Sequence, residues 1–130
     1  MNISQVAKLT GLSSKSIRFY EERDVISAPK RAENGYRVYS MDQVEDLKFV
    51  FNAKKAGFSL DECRELLKLA NNSMRTSADV KNFATNKLSD VRDQIETLRS
   101  IESKLLEWVE RCPGDDQSAC PIIDGLKEGS

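Results

Sequence analysis

The sequence predicts a mainly α-helical chain: short helices around one β-ribbon, then a long coiled-coil helix and a cysteine-bearing loop. Three observations carry this prediction. Apolar residues recur at helical spacing in four separate segments before residue 72. Asn34-Gly35 is a hairpin-turn dipeptide with short ribbon-forming segments on either side. From Ala84 to Val109, apolar residues alternate spacings of four and three, the seam of a coiled coil.

The elements follow in order. Ile3, Val6, Ala7 and Leu9 lie at helical spacing, and Thr10-Gly11 stops that helix after two turns. A second helix begins at once, capped by Ser13 or Ser14, and runs to about Arg23. Two short helices joined by a glycine-containing turn are the sequence form of a helix-turn-helix, whose second helix enters the major groove of DNA. Next, Lys30 to Ala32 and Tyr36 to Tyr39 flank Asn34-Gly35, which predicts a two-residue type I′ turn. Arginine and tyrosine interleaved on such a ribbon suit phosphate contact. A third helix spans about Asp42 to Ala56, with Val44, Leu47, Phe49 or Val50, and Phe51 facing inward. Ser59 and Glu62 form a capping box for a fourth helix, through Leu60, Cys63, Leu66, Leu67 and Ala70, which Asn71-Asn72-Ser73 breaks. The longest helix runs from Ser77 or Ala78 to Glu110, with Glu102 at one expected apolar position beside Ile101. At 1.5 Å per residue it spans about 48 Å, too long for a small core to cover, so a second copy of the chain is its expected cover.

Composition narrows the function classes. The chain has 130 residues, three cysteines and no histidine. No apolar run approaches the roughly 18 residues of a membrane span, and the N-terminus lacks the pattern of an export signal. A cytoplasmic location is the expectation, and in a reducing compartment an odd cysteine count speaks against a disulfide framework. Residues 1–58 carry a net charge of +3 and residues 59–130 carry −4, so the two halves have different tasks.

The last segment, RCPGDDQSACPI, holds Cys112 and Cys120, each followed by proline. Soft thiolates favour Cu(I), zinc or iron–sulfur clusters. Structural zinc and iron–sulfur clusters generally need about four ligands, and only two cysteines are near. Two sulfurs suffice for a linear monovalent ion. Asp115 and Asp116 can complete a harder site, but in a glycine-containing loop they read more simply as turn formers. A regulatory disulfide or a pair of plain thiols are the competing readings. Cys63 reads as core packing.

Together, ISQVAKLTGLSSKSIRFYEERDVISAPKRAENGYRVYS and the tail CPGDDQSACPI resemble the MerR-type transcription regulators, the tail matching their copper-efflux, CueR-type branch. The resemblance implies a winged helix-turn-helix DNA-binding domain over residues 1–72, a dimerisation helix over 73–111 and a metal-binding loop and tail over 112–130. It implies no enzyme but a homodimeric activator on double-stranded promoter DNA. Such an activator reaches RNA polymerase only through the promoter and controls copper efflux or homeostasis by distorting the DNA when metal binds. By position, Lys15, Arg18 and Tyr20 correspond to the DNA-facing second helix, Tyr36 and Arg37 to the wing, and Lys54 to a backbone contact. Cys112 and Cys120 are the implied ligands of one Cu(I), Ag(I) or Au(I) per subunit. Ser77, beside that site, stands where divalent-metal members carry a third cysteine; a Zn, Cd, Pb or Hg sensor, or a thiol redox sensor, is the alternative. Asp24 departs from the family, which has glycine there.

Overall fold

A computed structural model describes residues 1–129. In chain order it contains α1 (Ile3–Thr10), α2 (Ser14–Glu22), β1 (Lys30–Arg31), β2 (Arg37–Val38), α3 (Met41–Lys55), α4 (Leu60–Ala70), α5 (Ser77–Arg111) and α6 (Pro121–Glu128). The chain divides into two compact units, Met1–Ala84 and Thr85–Ser130.

In the first unit the polar residues before each helix set where it starts. Asn2 and Gln5 cap α1 reciprocally, Ser40 and Gln43 do the same for α3, and Ser59 and Glu62 for α4. Ser13, rather than Ser14, caps α2 through the Ser16 amide. Each such cap contributes about 1 kcal/mol by satisfying amides that the helix leaves open. At the other end of α2, Asp24 takes φ 56, in the left-handed region. There the Asp24 amide donates to Glu21 and the Val25 amide to Tyr20, a Schellman closure that ordinarily uses glycine. Arg64 from α4 donates through Nε (3.1 Å) and Nη2 to the carbonyl of Arg23, fastening that same helix end.

The ribbon differs from the expected two-residue turn. Lys30 pairs with Val38 and Arg31 with Arg37 in antiparallel register. The Ala32 amide donates to Tyr36 and the Gly35 amide to Ala32, enclosing Glu33, Asn34 and Gly35. Only Gly35 (φ 83) is left-handed in this loop; Asn34 is not, so a type I turn followed by a glycine bulge replaces type I′.

Val6, Ile17, Val44, Leu47, Val50 and Cys63 are fully buried and form the centre of the core, with Tyr20 and Tyr39 around them. On α3 the inward residues are Val44, Leu47 and Val50, whereas Phe49 and Phe51 are only partly buried. The first turns of α5 belong to this unit: Phe83 meets Phe58 with ring centroids 5.8 Å apart. Thr76 and Asp79 exchange side-chain and backbone hydrogen bonds at the start of α5, so Thr76 is its cap and Ser77 its first helical residue.

Along α5 no residue is buried, and Leu88, Ile95, Leu98, Ile101, Leu105 and Val109 are all exposed. An apolar stripe of this kind calls for a partner surface. The short helix α6 lies outside the sequence expectation, which read those residues as tail. Pro121 sits in its first turn and Gly129 closes it at φ 74.

Asp24→Gly should raise the stability of the folded chain by about 0.5–1 kcal/mol, because the left-handed cost to a Cβ exceeds the entropy glycine adds to the unfolded chain. Denaturant unfolding measures it; an unchanged or lowered midpoint would show that Asp24 sits without strain.

Candidate metal centre and nucleic-acid interface

The tail site is built from the end of one helix and the start of another. The Cys112 amide still donates to the Trp108 carbonyl at 3.0 Å, so Cys112 continues the last turn of α5. The chain then reverses through Gly114 at φ 64, where a side chain would be strained. Asp115 accepts from the Gln117 amide at 2.9 Å, which makes its carboxylate a turn former. Cys120 is the residue capping α6.

This arrangement brings the Cys112 and Cys120 sulfurs to 3.9 Å, both partly exposed. A disulfide needs about 2.05 Å, so these are two thiols facing each other. With metal–thiolate bonds of about 2.3 Å, the separation suits a bent pair as it stands and a linear pair after a sub-ångström opening. Separation therefore does not choose the metal. Among the described residues no group of three or more Cys, His, Asp or Glu gathers around an ion position.

Charge favours the thiolate at Cys120. The open amides of Ile123, and then Ile122, at the start of α6 hold its pKa below the ordinary thiol value, although Sγ makes no cap hydrogen bond of normal length. The Cys112 sulfur adds to the lowering, while Asp124 and partial desolvation oppose it. Cys63 is enclosed in the core with Sγ 3.9 Å from the Phe58 carbonyl, as expected of packing.

In the first unit, Arg18, Arg31, Tyr36 and Arg37 line one groove with Asn2 and Ser4, between the ribbon and the start of α1. Lys15 and Arg18 are exposed on α2 and Lys54 is exposed on α3. The tyrosines divide sharply. Tyr36 is 73 % exposed at the ribbon, whereas Tyr39 is 2 % exposed beneath it. Tyr20 is 8 % exposed and packs in the core, so its ring supports α2 and gives little surface to a ligand.

Arg37 is already engaged. Its Nε donates to Glu21 Oε2 at 3.0 Å, and the Tyr39 hydroxyl donates to Glu21 Oε1. Glu21 thus ties α2 to the ribbon, with its side chain only 9 % exposed. Burial, then the hydrogen bond to Glu21, raises the Tyr39 pKa and keeps the phenol protonated. Sequence reasoning missed Glu21 and Arg31. Arg31 carries a signal in the basic ribbon pattern, while Glu21 reads only as a helix-end acid.

Residues 1–70 match the family described as MerR HTH family regulatory protein, and residues 44–108 match that described as MerR, DNA binding. The chain is 49 % identical over 127 residues to the HTH-type transcriptional regulator CueR of Vibrio cholerae, covering 98 % of this chain and 91 % of that protein. It is 39 % identical, over the full length of both, to the HTH-type transcriptional regulator HmrR of Rhizobium leguminosarum. Among solved structures, the transcription regulator PbrR691 from Ralstonia metallidurans in complex with lead(II) is 25 % identical, with a TM-score of 0.84 covering 97 % of this chain and 98 % of that one.

In metal-free, reduced protein near neutral pH, iodoacetamide should label Cys120 ahead of Cys112 and well ahead of buried Cys63, since only the thiolate reacts. Peptide mass spectrometry reads the order; equal labelling of Cys112 and Cys120 would remove the effect of the α6 amides.

Proposed function

The chain belongs to the MerR family of helix-turn-helix regulators, and from that membership we propose that it is a copper(I)-responsive activator of copper efflux or homeostasis genes. It is a metal-responsive DNA-binding regulator that works on promoter DNA as a homodimer, not an enzyme. The exposed apolar stripe of α5 is the surface that dimerisation covers.

One observation carries the metal reading: two thiols face each other at 3.9 Å, and among the described residues no third ligand group gathers beside them. A univalent coinage ion, Cu(I) or by the same softness Ag(I) or Au(I), matches a two-sulfur donor set and leaves one net negative charge. When bound, it supplies a cross-link between the end of α5 and the start of α6. Cys112 and Cys120 hold it, one ion per subunit, while Ser77 at the start of α5 withholds the third thiolate that divalent-metal relatives supply from that position. The identity to CueR proteins supports copper. The fold likeness to a lead(II)-bound regulator keeps a divalent sensor as the rival.

On DNA, Lys15 and Arg18 of α2 read the major groove. Tyr36 and Arg37, with Arg37 aimed by Glu21, grip the flanking phosphates, and Lys54 meets the backbone. Tyr20 backs α2 from the core. Residues 1–72 bind DNA, 73–111 pair the subunits and 112–130 sense metal. Metal shifts the balance between two DNA-bound conformations, whose deformation costs a few kcal/mol. RNA polymerase is reached only through that DNA. The protein acts in the cytoplasm; no helix among the described residues is long and apolar enough to cross a membrane.

Competition against Cu(I) and Zn(II) chelators tests the choice of metal: copper is retained far more tightly, and preferential retention of zinc would install the rival. Cys120→Ser should abolish metal-dependent transcription while operator binding persists; loss of both together would count against separate sensing and reading parts. Arg18→Ala should weaken operator binding by about 1–3 kcal/mol with metal uptake unchanged; an unaltered operator affinity would take Arg18 off the DNA face.

A further inference from the structure

The chain has a single tryptophan, Trp108, one helical turn before Cys112. Its partly buried indole is met by Gly125 of α6. A methyl group placed on Gly125 would stand 2.9 Å from the indole Cζ2 and Nε1, inside any tolerable contact. The α6 backbone therefore approaches the ring as closely as only glycine permits. The Lys104 ammonium lies over the ring, 5.4 Å from its centroid. Neither Trp108 nor Gly125 belongs to the thiol pair or to the DNA-reading surface, so this contact has no part in the site described above.

We propose that Trp108 is a positioning residue of the metal site: the indole seats α6 through Gly125 and so holds Cys120 opposite Cys112 before the ion arrives. The inference rests on the two-thiolate reading. Seven residues separate the cysteines, and all seven are exposed, so that loop is not packed against the helices on either side of it. Without a seat, Cys120 would sample many positions, and binding would have to overcome that lost freedom. Anchoring α6 on α5 removes most of the cost in advance and sets the sulfur separation.

The test uses the reduced full-length chain, with Ag(I) alone as probe in competition with a chelator. Trp108→Ala should weaken Ag(I) binding by about 10–100-fold, the usual effect of losing a group that orients a ligand. Trp108→Phe, which keeps an aromatic seat, should recover most of that loss. Gly125→Ala, which adds atoms instead of removing them, should weaken binding in the same direction. Operator affinity of the metal-free protein and its dimeric state by sedimentation should be unchanged. In the wild type, indole emission should change as Ag(I) is added, saturate at one ion per chain, and fail to respond in Cys112→Ser.

Ag(I) affinity of Trp108→Ala equal to wild type would overturn the proposal while leaving the thiolate pair intact. Dimer loss in Trp108→Ala together with undiminished affinity in Gly125→Ala would overturn it too, by assigning the indole to the coiled coil. A wild-type chain that takes up no Ag(I) at the two cysteines would sink the thiolate reading itself.

Discussion

Two sulfurs held 3.9 Å apart, with no group of three or more metal-binding side chains gathered among the described residues, are the constraint on which the proposed metal chemistry turns. Structural zinc asks its protein for about four donors and, with two thiolates, would still be short of them. A univalent soft ion asks for fewer and tolerates the residual negative charge. The surrounding structure is consistent with that economy: a left-handed glycine reverses the chain, an aspartate closes the turn, and the first amides of α6 favour the thiolate at Cys120. The Asp115 carboxylate accepts from the Gln117 amide, the work of a turn former.

The DNA-binding unit depends on a different economy. Its core is small, and the second helix of its helix-turn-helix, α2, is only nine residues long. Such a helix is marginal alone, so its orientation must come from its neighbours. Three contacts supply it: Ile17 and Tyr20 in the core, Arg64 on the carbonyl at its C-terminal end, and Glu21 on Arg37 and Tyr39 of the ribbon. Glu21 is the most informative of these. A carboxylate nearly removed from solvent would be costly alone, and here two charge-assisted or phenolic donors satisfy both of its oxygens. Glu21 therefore fastens the ribbon to α2 and fixes the direction of the Arg37 side chain.

Much of this was legible in the sequence, for identifiable reasons. The start of α4 was readable because Ser59-x-x-Glu62 is a local capping code that needs no tertiary knowledge. The seam of α5 was readable because its period is long enough to average out the interruption at Glu102. What was missed involves contacts between distant residues or competing local signals. Asn34-Gly35 suggests type I′, yet the hydrogen bond from the Ala32 amide to Tyr36 closes a three-residue loop that asks positive φ of glycine alone. The helix α6 was hidden because Gly125 lowers the helical propensity of an eight-residue segment, and only its contact with Trp108 explains that glycine. The role of Glu21 could not be seen at all, since its partners lie 16 and 18 residues away. That Tyr20 packs against the core is likewise not visible from its position in a motif, which does not say which face of a short helix is buried.

X-ray absorption on copper-loaded, reduced protein tests the central claim most directly. Two sulfur neighbours around a single Cu(I) per subunit, with no light scatterer in the first shell, is the predicted spectrum. A shell containing nitrogen or oxygen, or four sulfurs shared between two copies of the chain, would contradict it.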